Sequence, residues 1–187
     1  LLQGDDPSFE RFCEILQYIR YRGGILNGYL SRLHYTGEWL YDNQQKGVLQ
    51  LPVLRESEPF HPSVSFMSAH CDRYPALKDH PDRRLGIRQI EDRVSRLPLR
   101  FIPKERLTSA TDIRDGDVIA ITTHIKGLDV SHVGFALCRN GVPFLLHASS
   151  EAGKVVVGVE PLHRYLAQRK NHSGIIVARS GRPERFK

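Results

Sequence analysis

The chain has 187 residues, of which 40% are hydrophobic and 26% are charged, a composition that excludes an intrinsically disordered chain. Its length allows a real hydrophobic core, and no apolar run approaches the roughly 20 residues of a transmembrane helix. The net charge of +6 at pH 7 comes from scattered Lys and Arg residues, without the compact basic motif with interleaved aromatics that is typical of nucleic-acid modules. We therefore expect no nucleic-acid partner and no transmembrane segment in this chain.

Asp6 followed by Pro7 predicts the start of a first helix, with Asp6 as the capping residue. Gly23-Gly24 ends that helical region. Apolar residues recur between these points at helical spacing and predict one apolar stripe. The stripe consists of Phe9, Phe12, Cys13, Leu16 and Ile19.

Two further helices are predicted in the first half of the chain. Thr36 is the expected cap of a helix that closes at Gly47. Four prolines in residues 48–80 exclude long regular elements there. A third helix is expected over residues 82–97. Its predicted buried side consists of Leu85, Ile87, Ile90 and Val94.

The second half of the chain has the pattern of an antiparallel sheet. Asn140-Gly141 predicts a two-residue hairpin turn, and Pro161 opens a short helix that extends through Arg169. Helices followed by hairpin-linked strands indicate an α+β fold, and we expect residues 1–187 to form a single domain. Strands are predicted over residues 99–102, 117–124, 131–138, 143–147, 154–159 and 174–178.

Two of the nine histidines stand out by their position. His132 opens an apolar strand directly after a loop, and a strand end holds an imidazole rigidly toward a cleft. His147 ends the strand that pairs with it through the hairpin, so the two rings should lie near each other at one edge of the sheet. A histidine can act as the base of a cysteine nucleophile, and a second one can orient it. The alternative for His132 is a half-buried structural histidine.

Four other histidines have polar or proline-rich neighbours and are expected to lie on the surface: His61, His80, His163 and His172. A zinc site is a further alternative, in which His132 and His147 join His124 or His70. No carboxylate or cysteine stands beside them at ligand spacing, so zinc is the less favoured interpretation, and we expect no metal or cofactor.

Three ordered motifs resemble the core of the NlpC-type, papain-like cell-wall hydrolases: Gly116-Asp-Val-Ile-Ala, Ser131-His-Val-Gly-Phe135 and Leu146-His-Ala-Ser149. The helical half is similar to one branch, the bacterial N-acetylmuramoyl-L-alanine amidase-like proteins. That similarity includes Ile19-Arg-Tyr-Arg-Gly23, Ser31-Arg-Leu-His-Tyr35, Trp39, Ser65-Phe-Met-Ser68 and Gly127-Leu-Asp129. The resemblance implies helices packed on a central antiparallel sheet, with His132 as the catalytic base and His147 as the residue that orients it.

The nucleophile that the resemblance implies is a cysteine at the start of a helix, in an Asp-Cys-(Thr/Ser)-Phe segment. None of Cys13, Cys71 and Cys138 has that context, and no Cys-x-x-Cys pair indicates a zinc ribbon or a redox site. The first residues are neither a signal peptide nor an initiating Met sequence. We therefore expect the chain to be part of a longer protein, with the nucleophile upstream of Leu1.

Substrate contacts are expected around the same cleft. The connector that holds Arg32, His34 and Tyr35 mixes a cation, an imidazole and a phenol, which could bind a peptide carboxylate or a sugar hydroxyl. The alternative is that Arg32 caps a helix and Tyr35 packs into the core. Asp129 and Ser131 flank His132 and are predicted to shape the rim of the cleft.

The resemblance implies an amidase that cleaves the bond between N-acetylmuramic acid and L-alanine of muropeptides, in the periplasm or cell envelope of a bacterium. Two alternatives remain: an endopeptidase that cuts within the stem peptide by the same machinery, and a non-catalytic cell-wall-binding module. The sequence does not discriminate between the cleavage sites.

Overall fold

The structure, a computed structural model, describes residues 8–181 and contains helices and one sheet. Five of the described α-helices lie in the first half of the chain, where two short strands separate the second helix from the third, and a sixth lies before the last strand: α1 (Phe9–Arg20), α2 (Thr36–Gln45), α3 (Phe66–Ala69), α4 (Pro75–Lys78), α5 (Pro81–Val94) and α6 (Leu162–Ala167). The strands are β1 (Leu49–Gln50), β2 (Glu58–Phe60), β3 (Leu99–Pro103), β4 (Val118–Thr123), β5 (Val130–Arg139), β6 (Val142–Ser149), β7 (Lys154–Pro161) and β8 (His172–Ser180). Within residues 8–181, no helix is long and apolar enough to span a membrane.

The strands form one sheet in the order β2-β3-β8-β4-β5-β6-β7, and β1 pairs with the end of β8. Every pairing is antiparallel, so the predicted α+β fold with an antiparallel sheet is confirmed. The last strand of the chain lies at the centre of the sheet, between β3 and β4. The chain order of the elements does not reveal this placement.

The central strands bury apolar side chains on both faces. On β4, Ala120 belongs to one core cluster, while Ile119 and Ile121 belong to the other. The first cluster joins the sheet to α2 and α5 through Leu40 and Ile87, and the second lies under α6. This arrangement explains why β4 and β8 have continuous apolar runs instead of a strict alternation with polar residues.

The predicted apolar stripe of α1 is exposed over its first half. Phe9 and Phe12 are 73% and 43% exposed, Cys13 is exposed, and Ile15 is the buried residue of the helix. Helix α1 packs on the core through its last turn, where Tyr18 and Ile19 contact the first cluster. The helical period predicted an amphipathic element, but it could not predict how far along its length that element is covered.

The first helix is capped by Ser8, whose hydroxyl accepts a hydrogen bond from the backbone N–H of Arg11 at 3.2 Å. The predicted start at Asp6-Pro7 lies outside the described residues. On α5, the predicted burial of Leu85 is wrong, since this side chain is 59% exposed. Leu85 lies two residues before the buried Ile87, which places it about 200° away around the helix.

Two turn predictions have opposite outcomes. The hairpin at Asn140-Gly141 is confirmed, because both residues have positive φ angles, 51° and 78°, as this turn requires. Thr36, in contrast, does not cap α2, because it is already inside the helix. The Asp129 carboxylate accepts a hydrogen bond from the backbone N–H of Gly37 at 2.6 Å and takes over that role.

Candidate active site

The hairpin of β5 and β6 brings His132 and His147 together. The strands pair with Phe135 opposite Leu146, so the two histidines lie diagonally across the ladder near its open end. His132 Nε2 lies 2.8 Å from His147 Nδ1, and the two rings are edge-to-face. The predicted proximity of these residues is confirmed. At this distance the two nitrogens share a hydrogen bond, in which the N–H of one ring donates to the other ring.

Gly134 makes the close approach of the strands possible at this point. A Cβ atom at Gly134 would lie 2.7 Å from the carbonyl oxygen of Leu146 and 3.1 Å from the Cβ atom of His147. Contacts this short force the backbone or the histidine to move. The glycine that follows the histidine in the His-Val-Gly motif is thus part of the packing that positions His147.

Gly134→Ala is expected to lower the free energy of unfolding by about 1–3 kcal/mol, because β6 must shift away from the added methyl group. Urea unfolding would measure this loss. Gly158→Ala on β7 is the matched control, since a Cβ atom there would meet its nearest neighbours at 3.6 and 3.7 Å. Equal stability of both variants would contradict the packing argument.

The surroundings keep both rings uncharged at neutral pH. Burial lowers the pKa of His132, and repulsion by a protonated His147 and by Arg169 lowers it further. Burial and Arg169 also lower the pKa of His147. Where Nε2 of His132 donates to His147, Nδ1 of His132 has a free lone pair and can accept a proton. The pair can therefore act as a base whose tautomer is fixed by its neighbour.

The cleft around this pair includes three residues that the sequence did not indicate: Tyr165, Arg169 and His172. The Tyr165 ring contacts His147 edge-on and stacks on His172, and the Arg169 guanidinium lies 3.6 Å from the Tyr165 ring centroid. These residues come from α6, from the segment that follows it and from the start of β8. The packing of α6 on the sheet and the position of β8 beside β4 bring them to His132, and no local pattern encodes either.

The prediction that His172 is a surface residue is corrected by its position in the cleft. Its ring is half-buried, its Nδ1 atom is buried without a hydrogen-bond partner in the described part of the chain, and its pKa is lowered to about 4, mainly by burial. His163 is also half-buried, whereas His61 and His80 are exposed as predicted.

We expect the free energy of unfolding to decrease as the pH is lowered from 7 to 5. The pKa of His172 is about 4 in the folded state and near the ordinary 6.5 in an unfolded chain, so the unfolded state binds more protons in this interval. His172→Gln should reduce that pH dependence, which chemical unfolding at several pH values would measure. The exposed His80→Gln should retain the wild-type slope. A His172→Gln variant with an unchanged slope would refute the explanation.

The predicted substrate-binding residues are distributed over two neighbouring cavities. Ser131 lines the cleft that holds His132. Arg32 and His34 line a second, open cavity of about 290 Å³, together with Tyr29 and Phe66. The run from Asp129 to Ser131 passes from one cavity to the other. A long substrate could therefore contact both.

The cation and the imidazole of the second cavity have free hydrogen-bonding capacity. Arg32 is exposed, and its guanidinium has no partner among residues 8–181. His34 stacks on Tyr29, and its Nε2 donates to the Tyr29 carbonyl oxygen at 2.9 Å. Burial lowers the pKa of His34, which keeps the ring uncharged and leaves Nδ1 as an acceptor.

Tyr35 is a core residue instead of a surface contact. Its hydroxyl donates to Glu91 Oε1 at 2.7 Å and accepts from the backbone N–H of Met67 at 2.9 Å. Burial raises the pKa of Tyr35 above the ordinary range. The structure thus favours the alternative in which Tyr35 packs into the core, and its hydroxyl ties α3 to α5 beneath the second cavity.

Asp129 lies below the rim of the cleft that it was predicted to shape. It is 1% exposed, and its two oxygens accept from the backbone N–H groups of Gly37 at 2.6 Å and Val130 at 2.7 Å. Burial raises the pKa of Asp129 despite these bonds. The residue fixes the start of α2 to the start of β5, three residues before His132.

The described cysteines lie away from the histidine pair. Cys13 is exposed on α1, and Cys71 and Cys138 are half-buried. None of the three lines either of the two cavities. In residues 8–181, no three His, Cys, Asp or Glu side chains are grouped as they would be around a metal ion.

Comparisons with known proteins identify relatives over most of the chain. An N-acetylmuramoyl-L-alanine amidase from Bacteroides uniformis is 36% identical, with a TM-score of 0.88 over 97% of this chain and 78% of that chain. A Bacteroides fragilis protein, provisionally described as a xylanase, is 38% identical, with a TM-score of 0.85 over 96% of this chain and 79% of that one. A Legionella pneumophila protein shares the fold, with 24% identity, a TM-score of 0.60 and coverage of 94% and 71%. No curated protein matches.

The family model that matches the chain is described as N-acetylmuramoyl-L-alanine amidase-like. Its match extends from residue 3 to residue 175 and so includes both histidines, both cavities and all six helices. This protein therefore belongs to the AmiA-like family of N-acetylmuramoyl-L-alanine amidase-like proteins.

Proposed function

We propose that this protein is a cysteine-dependent amidase that hydrolyses the amide between N-acetylmuramic acid and L-alanine of muropeptides. The observation that carries the proposal is the direct contact of His132 Nε2 with His147 Nδ1, in a cleft of an amidase-like cell-wall hydrolase. The Bacteroides uniformis relative is named for this reaction. The thiol is proposed to belong to a segment that precedes Leu1, in a papain-like arrangement.

The first half of the reaction uses His132 as a base. The thiol transfers its proton to Nδ1 of His132, and the thiolate attacks the amide carbonyl carbon. The tetrahedral intermediate collapses when the C–N bond breaks. The imidazolium of His132 then protonates the leaving amine, which departs as a peptide that begins with L-alanine. The muramoyl group remains bound to the sulfur as a thioester.

The second half releases the muramic acid. His132 removes a proton from a water molecule, which attacks the thioester carbonyl carbon, and the C–S bond breaks to give the free carboxylic acid and the thiol. His147 supports both halves because its Nδ1 accepts from Nε2 of His132. This bond holds the ring in one tautomer and stabilises the imidazolium when it forms.

The second cavity is the proposed binding site for the rest of the substrate. The unpaired guanidinium of Arg32 can bind a carboxylate through two parallel hydrogen bonds. Nδ1 of His34 can accept from an amide N–H or a sugar hydroxyl. Ser131 connects the two cavities. In this proposal, Tyr35 and Asp129 act by positioning these segments and do not contact the substrate.

We propose the periplasm or the cell envelope as the location, because the chain belongs to a family of cell-wall amidase-like proteins. Muropeptides are the proposed partners, and nucleic acid is not. Fractionation of the producing cells would test the location. Recovery of the protein in the cytoplasmic fraction alone would contradict it.

Incubation of the full-length protein with defined muropeptides, followed by mass spectrometry of the products, tests the function. Release of an intact stem peptide that begins with L-alanine is the expected result. Cleavage within the stem peptide would replace the amidase proposal with an endopeptidase of the same chemistry. Tight binding without cleavage by a folded protein would indicate a cell-wall-binding module.

A further inference from the structure

Arg169 carries a positive charge into the cleft that holds the histidine pair. Its side chain lines this cleft together with His132, His147 and His172. The guanidinium lies 3.6 Å from the Tyr165 ring centroid, and its Nη1 donates to the Tyr165 carbonyl oxygen at 3.0 Å. These two contacts hold a normally mobile side chain in one orientation.

The charge of Arg169 is not neutralised by any carboxylate in the described part of the chain. No carboxylate of residues 8–181 forms an ion pair with it. Glu160 lines the same cleft, but its Oε1 accepts from Gln168 Nε2 at 2.9 Å. A second cation lies nearby, because Lys104 Nζ donates to the Arg169 carbonyl oxygen at 3.2 Å.

Some other partly buried arginines of this chain have carboxylate partners. Arg22 binds Glu38 at 2.7 Å, and Arg179 binds Asp117 at 3.1 Å. A fixed guanidinium without such a partner is costly in a cleft unless an anion can approach it. The three histidines around Arg169 are uncharged at neutral pH. None of them therefore competes with the guanidinium for an anion.

We propose that Arg169 is an anion subsite of the catalytic cleft, which binds a carboxylate of the stem peptide. This inference rests on the proposed function, since carboxylates are the anionic groups that such a peptide presents. The Nε and Nη2 atoms of Arg169 have no partner among the described residues and can donate to both carboxylate oxygens. The subsite would select acidic stem peptides over amidated ones.

The test uses the full-length protein with two matched muropeptides, one with free carboxylates and one with these groups amidated. Arg169→Gln is expected to raise KM for the free acid about 10- to 100-fold, the loss of a charge-assisted hydrogen-bond pair. KM for the amidated substrate should rise far less, because that substrate has no carboxylate that could lose its partner. Arg169→Lys should restore part of the affinity.

Arg164→Gln is the matched control, because Arg164 is an exposed residue of α6 and does not line the cleft. Its KM values should equal those of the wild type. The subsite is refuted if Arg169→Gln leaves KM for the free acid unchanged, or if it raises KM equally for both substrates.

If the wild type hydrolyses neither substrate, the proposed function is refuted. The anion subsite is then tested separately by calorimetric measurement of muropeptide binding. The subsite would be supported if Arg169→Gln binds the free acid more weakly than the wild type does but binds the amidated muropeptide equally well. Equal binding of both muropeptides by the wild type and the variant would refute it.

Discussion

His132→Ala is expected to lower kcat/KM of the full-length protein on muropeptides by about a thousandfold or more. The reason is that this one ring must accept the thiol proton, protonate the leaving amine and activate the water. No other described side chain is placed to take over the role of Nδ1 of His132. The unfolding transition should stay close to that of the wild type, because His132 is only half-buried. Steady-state kinetics together with a thermal unfolding curve would check both expectations.

His147→Ala should cause a smaller loss than His132→Ala. It removes the acceptor that fixes the tautomer but leaves the base in place. The exposed His61→Ala is the matched control and should have wild-type kinetics. A folded His132→Ala protein that retains most of its activity would show that the pair is structural.

Asp129→Ala is expected to lower the free energy of unfolding by about 3 kcal/mol, a large part of the stability of an ordinary domain. The substitution leaves two buried N–H groups without an acceptor, those of Gly37 and Val130. The first of these belongs to the N-terminal turn of α2, where a negative charge is also favourable. Urea unfolding monitored by circular dichroism would measure the change.

Asp115→Ala is the control for this prediction. Asp115 also binds one backbone N–H, that of Cys138 at 2.7 Å, but it is exposed, and water can replace the lost bond. Its variant should lose less than about 1 kcal/mol. Equal losses for the two variants would mean that burial is not the cause of the Asp129 effect.

The hairpin of β5 and β6 could be predicted from the sequence, whereas the contact of Asp129 with α2 could not. The turn at Asn140-Gly141 and the pairing of its flanking strands follow from neighbouring residues, and they were enough to place His132 beside His147. Asp129 caps α2 by binding the N–H of Gly37, which lies 92 residues earlier in the chain, so no local pattern contains that contact. Thr36 was a reasonable cap by its identity and position, but a distant carboxylate had the better geometry.

Local sequence patterns also could not predict which residues complete the cleft or which part of α1 is buried. Arg169 and His172 belong to the site because β8 pairs with β4, and strand order is a tertiary property. The exposure of Phe9 and Phe12 depends on how far the core extends along α1. Helical period and strand alternation give the type of an element and its apolar side, but not the partner that covers it.

The central position of β8 has a consequence for the order in which the protein is assembled during synthesis. Until residues 172–180 leave the ribosome, the chain can form a β2–β3 pair and a β4–β7 meander, but not the strand that joins them. Strands this far apart in the sequence pair slowly, because closing the long loop between them costs conformational entropy before any contact offsets that cost. Completion of the sheet, and with it of the cleft around His132, therefore requires residues 172–180 to be clear of the ribosome. A ribosome-bound chain that stops before His172 carries His132 and His147 on the meander, but the side of the cleft that His172 forms is missing.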